Sequence, residues 1–162
     1  MTRADVRQTQ PTWEREKVEM EVRPTKVGVL SCSGESEAEG TIARNAVRLV
    51  MEKYRPGIVV SLCLPLYLAG DSGERDFARK VPVIAVDGCE KACSRLATEK
   101  YSGEVESCLN IRDLIEQWGV TETLSRSHPG KLEDELTERV AREIVKLVDL
   151  LVEEGKVQVE NR

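Results

Sequence analysis

The chain of 162 residues carries 24 Lys and Arg against 29 Asp and Glu, a net charge of −5, and that balance excludes the basic footprint of a protein that wraps nucleic acid. At 40% hydrophobic and 33% charged residues it falls outside the composition of disordered chains, and its length suits one domain. No apolar run nears the roughly 20 residues that cross a bilayer, and Met1 to Pro24 is polar without the apolar stretch of a signal peptide; the expectation is a cytoplasmic protein with neither a nucleic-acid nor a membrane partner.

Its one histidine, His128, excludes every site built on two or more imidazoles. Five cysteines remain, at 32, 63, 89, 93 and 108. In a reducing compartment an odd set of thiols is not a disulfide framework, and metal binding or thiol catalysis is the expected use.

Residues 1–25 form a polar tail in which Val18, Met20 and Val22 alternate with charged residues, a pattern that suits either a short edge strand or no fixed structure. The domain proper runs from 26 to 162. It opens with a buried strand, Val27-Gly28-Val29-Leu30, that stops at Cys32-Ser33-Gly34. Acids at Glu35, Glu37 and Glu39 then precede a helix marked by Ala43, Ala46, Val47, Val50 and Tyr54, with Arg48 and Lys53 towards its end as the dipole prefers. The glutamates oppose a phosphate cradle in this loop, and Arg44 lies too far along to close one. Ile58 to Leu64 is a second strand, with Cys63 just before Pro65, followed by a loop holding Gly70 and Gly73.

Glu74 to Lys80 suits one or two helical turns, and Val81 to Val86 a third strand closed by Asp87-Gly88-Cys89. A helix is expected over Glu90 to Lys100, a weaker strand over Val105 to Leu109 with Cys108 buried in it, and a short helix from Ile111 to Trp118. After a loop containing His128, Leu132, Leu136, Val140, Ile144, Leu147 and Leu151 mark a long amphipathic helix whose stripe faces either the core or another subunit of a homo-oligomer.

Alternating strands and helices imply a three-layer α/β domain, Rossmann-like or flavodoxin-like, around a mostly parallel sheet of about four core strands. Cys32, Cys63 and Cys89 each fall at or just after the end of a strand, the edge where ligands of such sheets bind, and Cys93 would sit one turn beyond Cys89. Four soft donors without histidine suit zinc; an iron-sulfur cluster could use the same thiolates, though the ferredoxin spacings are absent. The bland alternative is that the cysteines are small apolar residues at strand ends. Asp87 caps the next helix or assists the thiols, and Gly88 serves a turn or a close approach of backbone to a ligand.

Cys32-Ser33-Gly34, then Cys63-Leu64-Pro65-Leu66 running into Ala69-Gly70, and above all Asp87-Gly88-Cys89 with Cys93, resemble the DGC-domain family of zinc-binding proteins over about residues 26 to 115. The resemblance implies a small α/β domain with Cys32, Cys63, Cys89 and Cys93 as metal ligands. Glu35 stands where many members have a further cysteine, so the first loop supplies one ligand or two. A thiol- or zinc-dependent enzyme, with Cys89 or Cys32 as nucleophile and Asp87 or Glu35 assisting, is the alternative to a non-enzymatic metal-binding domain.

Overall fold

The computed structural model describes residues 23–34 and 36–159. The edge strand considered around Val18 to Val22, and Glu35, lie outside the described residues. In chain order the elements are β1 (Val27–Ser31), α1 (Ala38–Leu49), β2 (Val59–Leu62), α2 (Leu64–Ala69), α3 (Ser72–Lys80), β3 (Val83–Asp87), α4 (Cys93–Tyr101), β4 (Ser107–Asn110), α5 (Ile111–Gln117) and α6 (Lys131–Glu153). A π-helical turn, Val50–Tyr54, continues α1.

The four strands are all parallel in the order β2-β1-β3-β4. Of the two expected topologies this is the flavodoxin-like one, because β3 lies beside β1 on the side away from β2. The order reverses between β1 and β3, so a crevice opens at their carboxyl ends. Val29 pairs with Ile84 and Leu30 with Ala85 across that junction. All five residues of each of the two central strands are buried, as strands covered on both faces must be.

Alternation along β1 sends Val27 and Val29 to one side and Leu30 to the other. The first side packs on Ile42, Ala46 and Val47 of α1, Ile115 of α5, and Val140, Ile144 and Val148 of α6. The second packs on Leu64 and Tyr67 of α2, Ala78 of α3 and Ala97 of α4. Leu136, Val140, Ile144 and Leu151, most of the stripe expected on α6, are therefore spent inside the chain against α1. The π turn is fastened to the same helix, where Tyr54 donates to Glu138 and Arg55 makes a two-pronged pair with Asp149 at 2.7 and 2.5 Å. No helix among the described residues is long and apolar enough to cross a membrane.

Four local expectations are corrected. The stretch after Cys63 is helical rather than loop: Pro65 sits in the first turn of α2, where its missing N–H costs nothing, and Gly70 ends the helix at φ 101°. Asp71 then accepts the Glu74 N–H at 2.9 Å and starts α3 two residues before Glu74. The helix expected from Glu90 begins only at Cys93, because Ala92 adopts a left-handed φ of 49° and ends a turn over Cys89 to Ala92. Cys108, expected to be buried, is exposed, because β4 is an edge strand whose alternate face is uncovered.

Candidate functional site

Cys32 lies one residue past β1, Cys63 one past β2, and Cys89 two past β3, so the strand-end placement expected for each thiol is what the fold delivers. They divide between two cavities. Cys32, Cys89 and Cys93 line a crevice of about 90 Å³ at the switch point, together with Gly34, Glu37, Gly88 and Lys91. Cys63 lines a neighbouring cavity of about 290 Å³ between the ends of β1 and β2, and Cys32 forms part of its wall as well. Among the described residues no three His, Cys, Asp or Glu side chains stand close enough to hold a metal ion. The chain thus brings three thiols to one ion-sized crevice, holds the fourth next door, and leaves their sulfur atoms apart.

Three glycines make the crevice narrow. A Cβ on Gly88 would lie 2.5 Å from the Gly40 nitrogen, one on Gly40 would lie 2.4 Å from the Gly34 Cα, and one on Gly34 would lie 2.6 Å from the Gly40 carbonyl carbon. The loop after β1, the first turn of α1 and the turn after β3 therefore touch backbone to backbone, and only Gly34 needs a positive φ, of 73°. Gly88 does leave room for backbone, as expected; what approaches it is α1 of this chain rather than a ligand. Gly40 escaped notice in the sequence, where a glycine early in a helix looks only like a weak helix former.

The Cys32 sulfur sits inside this glycine contact and accepts the Gly88 N–H at 3.3 Å. Burial pushes its thiol above the ordinary value, and nearby Asp87 and Cys93 push the same way against the amides of Gly88 and Gly34. Cys32 is thereby held as the protonated thiol, which opposes its use as an activated nucleophile. Cys93 is exposed at the start of α4 and Cys89 half-buried in the turn before it. The two therefore do not share a helical face.

Asp87 is buried, and its two carboxylate oxygens accept the N–H groups of Ser94 at 2.8 Å and Arg95 at 3.1 Å. This is the capping role, reached from seven and eight residues upstream because the left-handed Ala92 folds the turn back. With both oxygens so engaged, Asp87 is not placed to act as a base. His128 is exposed and lines neither thiol cavity.

The acids are collected by a residue the sequence did not point to. Arg112, at the start of α5, donates to Glu39 at 3.0 Å, Glu90 at 2.8 Å and Glu37 at 2.9 Å. These partners are 73, 22 and 75 positions away, so no local spacing could signal the cluster. Arg44, eleven residues beyond Ser33, donates to the Ser33 carbonyl at 2.7 Å, because α1 folds back over the loop that precedes it.

A further cavity of about 640 Å³ opens at the opposite edge beside Val81, Pro82 and Glu106, and no thiol lines it. The model of the DGC domain matches residues 28–144. No curated protein and no solved structure matches the chain.

Proposed function

The chain belongs to the DGC-domain family, and on that premise we propose that it is a metal-binding protein that takes zinc through Cys32, Cys89 and Cys93, with Cys63 as the fourth donor. The observation that carries this reading is the shared lining of one crevice by thiols from two separate strand ends and the turn between β3 and α4. The donor chemistry fits: soft thiolates without imidazole suit zinc in tetrahedral geometry. So does the size, since about 90 Å³ holds an ion and falls well short of the ~300 Å³ or more that organic cofactors occupy.

A cysteine side chain has a single free torsion, so the sulfur positions at 89 and 93 change by rotation about it. Lys91 lines the crevice and supplies the positive charge beside the thiols, while Arg112 is shared by Glu37, Glu39 and Glu90 and only partly balances them. A complete set of four thiolates would make zinc structural or sensory, whereas a three-thiolate site would leave one position for water or substrate.

Elemental analysis of protein purified without added metal tests this. About one equivalent of zinc per chain is expected, lowered by serine at Cys32, Cys89 or Cys93 and unaffected by Cys108→Ser. The Cys63→Ser variant reports whether the ligand set reaches into the second cavity. Iron in place of zinc would assign a cluster, and natively folded, metal-free protein with five freely titrating thiols would refute metal binding.

A further inference from the structure

Gly40, Arg44 and Arg48 recur every fourth residue and so share one stripe of α1. The stripe runs from the thiol crevice to the second cavity, where Arg44 and Arg48 stand with Cys32 and Cys63, and with Ser33 and Ser61, around about 290 Å³ of space. Among the described residues these two guanidinium groups are the only charged side chains in that lining. The chain carries a net charge of −5, and Arg55, Arg95 and Arg112 are each held by a carboxylate. Neither Arg44 nor Arg48 has a carboxylate partner among the described residues. Arg44 uses one N–H group on the Ser33 carbonyl, and a guanidinium has five, so donors remain. Glu74, whose carboxylate accepts the Cys63 N–H at 3.1 Å, is not part of the lining.

We propose that this cavity binds a small oxyanion, of the carboxylate or phosphate class, between Arg44 and Arg48 and beside the Cys63 thiol. Three features point to it together: a hollow at the carboxyl edge of a parallel sheet, where ligands of this architecture bind; two cations without an acidic partner among the described residues; and a planar fork geometry that matches carboxylate and phosphate oxygens. The cavity shares Cys32 and Cys63 with the proposed zinc set, and its test uses metal-free protein so that the two readings fail separately.

Iodoacetate and iodoacetamide differ in that only the first carries a carboxylate. With a chelator present, their alkylation rates at Cys63 and at the exposed Cys108 are measured by peptide mass spectrometry. The iodoacetate-to-iodoacetamide ratio at Cys63 is expected to exceed that at Cys108 on the order of tenfold, about threefold for each guanidinium at a solvated site. Arg48→Gln should remove most of the excess, Arg48→Lys should keep part of it, and Arg142→Gln, which deletes the same charge from α6, should leave it unchanged. Inorganic phosphate and succinate are then added against sodium chloride of matched ionic strength. Selective protection of Cys63 by phosphate assigns the phosphate class, and protection by succinate the carboxylate class. Protection by neither, or a Cys63 ratio that Arg48→Gln does not move, overturns the proposal.

Discussion

Replacing Gly88 by alanine tests the idea that the crevice is set by backbone contact. The added methyl would meet the Gly40 nitrogen at 2.5 Å and its Cα at 2.7 Å, against the ~3.5 Å at which such atoms rest. The neighbours are main chain at the start of α1, so they cannot rotate away. The turn after β3 and the first turn of α1 must separate by about 1 Å, which weakens the bond from the Gly88 N–H to the Cys32 sulfur and loosens contacts on both sides. Overpacking of this kind costs about 2 kcal/mol, which in a chain of this length lowers the melting temperature by about 4–8 °C. Thermal unfolding followed by circular dichroism measures it, and iodoacetamide labelling of Cys32 at fixed pH reports the opened crevice. Gly73→Ala is the control for the crevice: its methyl would meet only the Asp71 carboxylate oxygen that caps α3, at 3.1 Å, so whatever it does to that cap, the labelling of Cys32 should match the parent. A Gly88→Ala protein that melts within about a degree of the parent, with Cys32 labelled no faster, would refute the backbone-contact account.

Arg112→Gln should destabilise the chain by about 1–2 kcal/mol, the sum of three partly exposed pairs, and the loss should shrink in denaturation curves at about 1 M salt, where screening is tight. Glu133 accepts the N–H groups of Ser125 and Gly130, each at 2.7 Å, which hold its carboxyl below the usual range. Its folded-state pKa is depressed, so its contribution is complete above the unfolded value and disappears as pH falls through the folded one. Glu133→Gln should therefore cost about 1 kcal/mol at neutral pH and nothing in acid, as urea titrations at the two pH values would register. In chelated protein, the burial of Cys32 and its raised pKa predict slower alkylation than at the exposed Cys108 at neutral pH. Pulse labelling that finds Cys32 the faster thiol would contradict its burial inside the glycine contact.

The parallel sheet was legible because β1 and β3 are short, continuous apolar runs, the mark of strands covered on both faces. Strand ends are equally local, which is why Cys32, Cys63 and Cys89 could be placed on the ligand edge from spacing alone. Their division between two cavities could not be read, because it depends on how far α1 and the turn after β3 approach each other. That approach is decided by Gly34, Gly40 and Gly88 jointly, and the absence of a side chain carries no periodic signal. The start of α4 was misplaced because a left-handed alanine contradicts the residue's own preference for helix and is imposed by the capping bonds to Asp87. The recurrence of Gly40, Arg44 and Arg48 every four residues is present in the sequence, but a polar stripe on a helix does not by itself say which strand ends it will face.

Helix α1 acts as a ruler laid across the molecule. One edge is graduated by Ala43, Ala46 and Val47, which read against the facing graduations Val140, Ile144 and Val148 on α6; the other carries Gly40, Arg44 and Arg48 to the two cavities. Because a helix is stiff along its axis, a shift in how the first edge seats is transmitted to the second without attenuation. The tolerances of the thiol crevice are consequently set from the opposite edge of α1, by a helix that does not line it. A void cut at Ile144 in α6 would thus appear as misalignment at Gly40, and the long terminal helix is better regarded as the clamp that zeroes the scale than as a cover for apolar surface.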